Sequence, residues 1–508
     1  MGRTLGKLAG LAGVLAGACL TLLAQGCTSP SGMDTGAWGS ALRIPGVRTG
    51  ADAVGNAVWC SSPGNCTLAY VPSVVSPPGG WLAFRGWKAF ARRETDGTWG
   101  PPALIPGLTS QTAMGLQLSC AGPGDCVVAT TSGDNADRFT VLVASERHGV
   151  WHKALQIPEL AALSGGNSAV NVLSCSRAGW CELAGSYWPR GSQIPNASRP
   201  FVASEHDGVW SGARAAPRPE PLSQGSTGWI TSLSCDPAAT CTAGGSYRDR
   251  VPQHVRPFVV TVVHGVWSPA RPVAGMAVLG DAGPGGYGAI SAVSCASPGN
   301  CAAAGSYGDR DGRERLFVVT EKDGKWGQAR NLPGKVATLS TQSGVTIAGL
   351  SCPAPGQCAI AGLYGTDDAS GLSGQQFSAT VAFVASQVNG SWQAPREVRG
   401  PAALKSGNLV YLTALSCGSP GNCAAGGYTV LPVRYAANHA FVVRETDGNW
   451  GVAQRVPGLT ALGSAASSTD FVYCGRTAAT SSRCAAIGAY FPRTGSPDQW
   501  RMFAAESR

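Results

Sequence analysis

Sixteen of the 18 cysteines in this chain fall into eight close couples, and the couples recur at a nearly even interval. They are Cys60 and Cys66, Cys120 and Cys126, Cys175 and Cys181, Cys235 and Cys241, Cys295 and Cys301, Cys352 and Cys358, Cys417 and Cys423, and Cys474 and Cys484. The first seven are spaced C-x5-C and the last C-x9-C. Successive first cysteines lie 60, 55, 60, 60, 57, 65 and 57 residues apart. A period of that size constrains the fold strongly. Each repeat is one supersecondary unit, too small to bury its apolar face alone, and it must stack on its neighbours.

A second landmark recurs within each unit. "RRETDGTWG" ends near Trp99, "ASEHDGVWS" near Trp210, "VTEKDGKWG" near Trp326 and "VRETDGNWG" near Trp450, with looser copies around Trp151, Trp267 and Trp392. Taken in order, these landmarks predict four strands per unit. The first ends at the first cysteine. The second starts at the second cysteine and runs to a tyrosine, as in "CAAAGSY". The third is an apolar run such as "RLFVVTE", and the fourth carries the tryptophan. Asp-Gly joins the last two, because both central positions of a two-residue hairpin need positive φ. Pro-Gly between the cysteines favours a type II turn. The 70 glycines and 34 prolines suit short strands and tight turns better than long helices.

The last unit ends at "WRMFAAESR", with its third strand complete and its fourth missing. The missing piece stands at the other end of the chain: "DTGAWGSALRIPG", Asp34 to Gly46, matches "TDGTWGPPALIPG", Thr95 to Gly107. Such a permutation closes a ring, whereas a linear solenoid needs capping repeats instead. The expected fold is therefore all-β, an eight-bladed β-propeller over residues 34–508 whose last blade is completed by the N-terminal strand. Each cysteine couple is expected to form a disulfide across the first hairpin of its blade. A loop that short contributes roughly 2–2.5 kcal/mol in the chain-entropy model. No cofactor is expected, and no metal site: the six histidines stand in no ligand spacing with the cysteines.

The start of the chain reads as an export signal. Arg3 and Lys7 precede the apolar Leu8 to Ala24, and "AQGC" ends at Cys27 before a polar stretch. This layout resembles a bacterial lipoprotein signal, which implies a signal peptide over 1–26, lipidation of Cys27 and a linker over 27–33. Gln25 is larger than the residue usual in that motif, and the alternative is an ordinary secretory peptide cut nearby. The resemblance implies an exported, cell-surface protein held by lipid on the outer face of the cytoplasmic membrane. Paired cysteines fit such an oxidising setting. The formal charge of +9 comes with no long basic run, so no nucleic-acid partner is expected.

Function is expected on the variable loops. With the cysteine strand innermost, the cysteine turns and the Asp-Gly turns share one face, and the loops after the second strand lie on the other. Those loops carry Arg190, Arg248, Arg250, Arg310, Arg313, Arg434 and Arg493, beside Tyr247 and the aromatics Trp81, Trp87, Trp188 and Trp500. Guanidinium forks suit carboxylate or phosphate, and aromatic faces suit sugar rings or cations. The same arginines could instead be solvated or paired with Asp309, Asp311 and Glu314. The aromatic stretch Pro77 to Phe90 is the best candidate for an exposed patch.

No nucleophile elbow, phosphate-binding glycine loop or zinc motif is present, and no catalytic residue is assigned. The "ETDGTW" turn resembles the Asp-box hairpin of sialidase-like propellers, but there one residue separates aspartate from glycine. Asp-boxes are structural and imply no activity. Residues 34–508 resemble the Cys- and Trp-bearing propeller repeats of exported actinobacterial lipoproteins. The first reading is a non-enzymatic, surface-anchored propeller that binds a glycan, a cell-wall polymer or an envelope protein. The alternatives are a propeller-type carbohydrate-active enzyme, sialidase-like hydrolase or lyase, and a structural component of an envelope complex.

Overall fold

Asp323 and Gly324 both take positive φ, 50° and 76°. They therefore join the third and fourth strands of their unit in the left-handed hairpin geometry that Asp-Gly favours. The same pair of angles recurs at Asp96, His148, Asp207, His264, Asn389 and Asp447, each with the glycine that follows. His and Asn replace Asp in three of these turns, and the backbone is unchanged. In the computed structural model, residues 38–49, 56–72, 87–110, 112–133, 138–189, 198–217, 227–248, 254–280, 286–334, 344–365, 380–400, 409–430, 438–476, 482–493 and 500–507 are described. Cys27 and the segment before it lie outside them, as do Trp81, Arg190, Arg250 and Arg434.

Residues Trp38–Arg508 form one unit of eight antiparallel sheets. We number the blades 1 to 8 by their cysteine pairs. Blade 5 is representative: Gly288–Ser297 pairs with Asn300–Gly308, which pairs with Glu314–Lys322. The fourth strand departs from the sequence expectation. It is broken into Lys325–Trp326 and Arg330–Asn331, both on the third strand, so the tryptophan piece is a short hairpin arm before a bulge. The inner strands of successive blades lie side by side, and that of blade 1 lies beside that of blade 8. The ring is closed, an eight-bladed β-propeller.

Closure uses the N-terminal strand. Leu42–Thr49 pairs with Trp500–Glu506, Leu42 facing Ala504 and Arg43 facing Phe503. Trp38 bridges Ser507 and packs in one cluster with Phe503. Ile44 and Val47 are fully buried.

All eight disulfides are present, with Cα separations of 3.9–4.0 Å. Most couples face one another directly in register, as Cys295 does Cys301. On the same face, the glycine N–H of the Asp-Gly turn donates to the carbonyl of the glycine in the cysteine turn. Gly97 to Gly64 is 2.8 Å and Gly324 to Gly299 is 2.9 Å. Blade 4 has Ala239 where six other blades have glycine, at φ 59°, and Asp236 Oδ1 accepts the N–H groups of Ala238 and Thr240 around it.

A serine ladder joins the inner strands. The residue before the first cysteine is serine in six blades, and its Oγ accepts the cysteine N–H of the next blade, at 2.9–3.2 Å, from Ser119 to Cys175 round to Ser416 to Cys474. Trp59 and Tyr473 hold this place in blades 1 and 8. The Tyr473 hydroxyl donates to the Ser61 carbonyl instead, 3.0 Å away, across the closing seam.

Further out, the seams bury carboxylates. Glu94, Glu146, Glu205, Glu321 and Glu445 occupy one position of the third strand and face the repeat tryptophans across the hairpin. All are 1–5% exposed. Burial and the Glu506 carboxylate push Glu94 up to about 7, against a hydrogen bond from Trp99. Burial pushes Glu182 up to about 7 as well, against hydrogen bonds from Ser204 and Trp267.

Both pKa values are higher in the folded chain than in the unfolded one. Their contribution is therefore complete below the ordinary carboxylate value of 4.5 and is lost as pH rises to about 7. His439, lowered by burial and by Arg455, and Asp309, lowered against the effect of burial by its hydrogen bonds, oppose this. A tenfold difference in proton affinity between the folded and unfolded chain corresponds to about 1.4 kcal/mol. Denaturant unfolding is expected to show a protein more stable at acidic than at alkaline pH, by an amount on the order of a few kcal/mol. Glu182→Gln keeps an acceptor for Ser204 and Trp267 and should flatten that slope. A profile that rises with pH would contradict the seam assignment.

Candidate functional site

In five blades the tyrosine that ends the second strand stands six residues after the second cysteine: Tyr187, Tyr247, Tyr307, Tyr364 and Tyr490. All five are buried, at 1–7% exposure. Tyr247 and Tyr307 pack against Phe258 and Phe317, and the Tyr307 hydroxyl donates to Asn331. Blade 7 reads "CAAGGYT" at the same strand length, with tyrosine one place earlier: Tyr428 comes five after Cys423, where blade 5 has Ser306, and Thr429 holds the place of Tyr307. Side chains alternate along a strand, and a one-residue shift turns the ring to the opposite face. Thr429 takes the buried place, 2% exposed. Tyr428 then stacks on Tyr411, its partner in register, with ring centroids 4.9 Å apart and an interplanar angle of 17°.

Tyr411 is near the start of the inner strand Leu409–Ser419, at the end remote from the cysteine turn, which puts the half-buried stack on the loop face. Blade 8 supplies a carboxylate beside it. Seven inner strands carry a bulge after which the register shifts by one, and the extra residues there are Gly115, Asn171, Thr231, Ser291, Ala348, Thr413 and Asp470. Only the last is charged. Asp470 is half-buried, but its Oδ2 is sealed and has no hydrogen-bond partner among the described residues. Burial pushes its carboxyl up to about 6, against hydrogen bonds from Ser468 and from the Ala489 N–H. Burial, then Tyr411 and Asp470, raise the Tyr428 hydroxyl. The group is a flat aromatic pair beside a carboxyl that titrates near pH 6.

The sequence-derived candidates are spread around the ring. Trp188, 37% exposed, ends the second strand of blade 3. Arg248 is exposed at the same place in blade 4. Arg310 and Arg313 are exposed on one turn of blade 5, which Asp309 organises. Asp309 Oδ1 accepts the N–H groups of Asp311 (3.0 Å) and Arg313 (2.9 Å), and its other oxygen pairs with Arg315. Burial raises the Asp309 carboxyl, but these bonds outweigh it and hold the group below its ordinary value. In blade 8, Arg493 is exposed, and Trp500 packs 6.0 Å from Phe491.

Two candidates belong to the core. Trp87, 2% exposed, lies in a cluster with Ile105, Leu108 and Leu116. It begins the strand Trp87–Thr95, along which Trp87, Ala89 and Ala91 turn inward while Lys88 turns out. Strand alternation, visible in "WKAFA", overrides the reading of that end of Pro77 to Phe90 as a surface patch. Tyr247, 7% exposed, is strand-end packing.

Among the described residues no helix is long and apolar enough to cross a membrane, and no three His, Cys, Asp or Glu side chains cluster as metal ligands. No family profile and no curated protein matches the chain. Among solved structures the chain finds similarity at low scores. An ulvan lyase, described as a new family of polysaccharide lyase, is 10% identical, with 82% of this chain and 96% of that one covered at a TM-score of 0.45. A lectin from Burkholderia pseudomallei is 14% identical, with 80% and 99% covered at 0.43. A neuraminidase-like protein of a flat-faced bat isolate from Peru is 9% identical, with 94% and 95% covered at 0.35. At such identities and scores none of them bears on the ligand or activity of this chain.

Proposed function

We propose that the protein is an exported, non-enzymatic propeller that binds a glycan or cell-wall polymer on its loop face. The observation that carries this reading is the Tyr411–Tyr428 stack beside Asp470: a flat aromatic surface for a sugar ring, with a carboxyl for its hydroxyls. The exposed Arg248, Arg310 and Arg313 add cationic forks suited to acidic sugars or phosphates further along the face. Eight disulfides fit an oxidising compartment. Lipid on Cys27 would hold the ring at the cell surface.

The test is a binding screen of glycans and cell-wall polymers with the chain lacking residues 1–27. We expect binding to at least one polymer. Loss of an aromatic contact costs on the order of 1–2 kcal/mol, so Tyr428→Ala should weaken it about tenfold while the fold stays intact. No binding to any polymer, with one stable protein partner captured from envelope extract, would favour a structural component instead.

A second reading rests on Asp470 alone. A carboxyl at about 6 is half protonated in mild acid, as a proton donor to a glycosidic oxygen must be. Release of sugar from a bound polymer, abolished in Asp470→Asn, would establish that reading, whereas binding without turnover leaves the first.

A further inference from the structure

Two of the blade seams hold an arginine in the same way. Between blades 1 and 2, Arg93 reaches Glu146 with Nη2 2.5 Å from Oε1. Its guanidinium lies over the two turn glycines of blade 2, with Nη2 3.4 Å from where a Cβ on Gly124 would stand and Nη1 3.5 Å from one on Gly149. Between blades 2 and 3, Arg147 reaches Glu205 at 3.2 Å and the Asp207 carbonyl at 3.3 Å, and it fills the space over Gly208. Both pockets have the same walls: a buried glutamate facing the repeat tryptophan, and the turn glycines of that blade.

The seam between blades 4 and 5 has the walls but no arginine at the strand position of Arg93 or of Arg147; its one lining arginine, Arg271, comes from the piece of the fourth strand after the bulge. Glu321 faces Trp326, and the turn glycines are Gly299 and Gly324. On blade 4, Thr261 stands where Arg93 stands and Val263 where Arg147 stands, which the shared strand registers show. A cavity of about 300 Å³ remains, lined by Glu321, Trp326, the two glycines, Thr261 and Arg271. Glu321 is 5% exposed, and its Oε2 has no hydrogen-bond partner among the described residues; nor does the Trp326 indole N–H. Arg271 acts on Glu321 through its charge, but no ion pair joins them among the described residues.

We propose that this seam is a binding pocket for a guanidinium group from outside the chain. A planar fork matches a carboxylate edge and lies flat over glycine turns, as the two filled seams demonstrate; a compact ammonium does neither. The pocket is on the turn face, away from the tyrosine stack, so it stands or falls independently of glycan binding.

Calorimetric titration of the full chain with N-acetyl-arginine amide tests it, with the lysine and citrulline analogues as controls. Saturable 1:1 binding is expected for arginine, at least about tenfold weaker for lysine, and none for uncharged citrulline. Glu321→Gln should abolish it. Thr261→Arg should abolish it too and raise the melting temperature, because the chain then fills its own pocket; this second variant decides the matter if the first is unstable. Titration of a blocked octapeptide with one central arginine separates the sources. Binding about tenfold tighter than the amide points to an arginine on a protein partner, and equal binding to a free guanidino compound. Failure of the amide to saturate, or undiminished binding by Thr261→Arg, overturns the proposal.

Discussion

A chain that begins at residue 50 should lose most of its stability, although it would retain every cysteine couple. The strand Leu42–Thr49 is the outer strand of blade 8, and with Trp38 it brings Ile44 and Val47, both at 0% exposure, and Ala41 at 4% into the closing seam. Each fully buried aliphatic side chain contributes roughly 1.5–3 kcal/mol, and the tryptophan at least as much. Their combined loss is on the order of 5–10 kcal/mol, comparable to the whole stability of a typical domain. It would also bare the edge of Trp500–Glu506 to other chains. Unfolding in denaturant should show a much earlier or non-cooperative transition, with aggregation, relative to a chain that begins at residue 28. Restoration by a synthetic peptide of residues 34–49 would tie the loss to that strand. An unchanged midpoint in the chain starting at 50 would refute it.

The second large effect belongs to one glycine. Gly305 sits in the middle of the second strand of blade 5, opposite Phe317 and beside the bulge of the inner strand. A Cβ there would lie 1.9 Å from the Ala289 carbonyl oxygen and 2.8 Å from the Phe317 ring. Its backbone is ordinary strand, so the obstacle is space and not φ. Glycines 185, 245, 362, 427 and 488 meet the same collision with an inner-strand carbonyl. The phenylalanine ring fills the room that a side chain would take. Gly305→Val must push apart two strands held in register by the Cys295–Cys301 bridge, and we expect a loss of more than about 4 kcal/mol. Gly308→Ala, three residues on, has nothing within 4 Å of its Cβ and should change stability by less than about 1 kcal/mol. Equal effects from the two would contradict the packing described.

The parts of the fold carried by local chemistry were legible in the sequence. Cysteine spacing, Asp-Gly turns and the match of "DTGAWGSALRIPG" to "TDGTWGPPALIPG" each mark one turn or one strand, and together they specify the blade and its closure. The serine before the cysteine was equally visible, but its role lies between blades, and no local pattern says which neighbour its hydroxyl serves. The seam arginines and glutamates were hidden for the same reason: Arg93 and Glu94 are adjacent in sequence, yet the partner of Arg93 is Glu146.

The candidate site was the least legible part. Its signal is a change of order at constant length, "GGYT" in blade 7 where blade 5 has "AGSY", which sets Tyr428 one place earlier and turns it out of the core. Asp470 was concealed because a bulge has no signature in a serine- and alanine-rich strand. Tyr247 and Trp87 were drawn toward the surface by their neighbours in sequence, whereas alternation along their strands places them inside.

The closed ring is tested most directly by linking its two ends. Leu42 faces Ala504 across the closing pair of strands. Leu42→Cys combined with Ala504→Cys should form one disulfide beyond the native eight when the folded protein is oxidised. Peptide mapping by mass spectrometry should then find the segment around residue 42 joined to that around 504, with the native couples intact. Two free thiols in the folded protein, or a link to any other cysteine, would mean that the N-terminal strand does not complete the last blade.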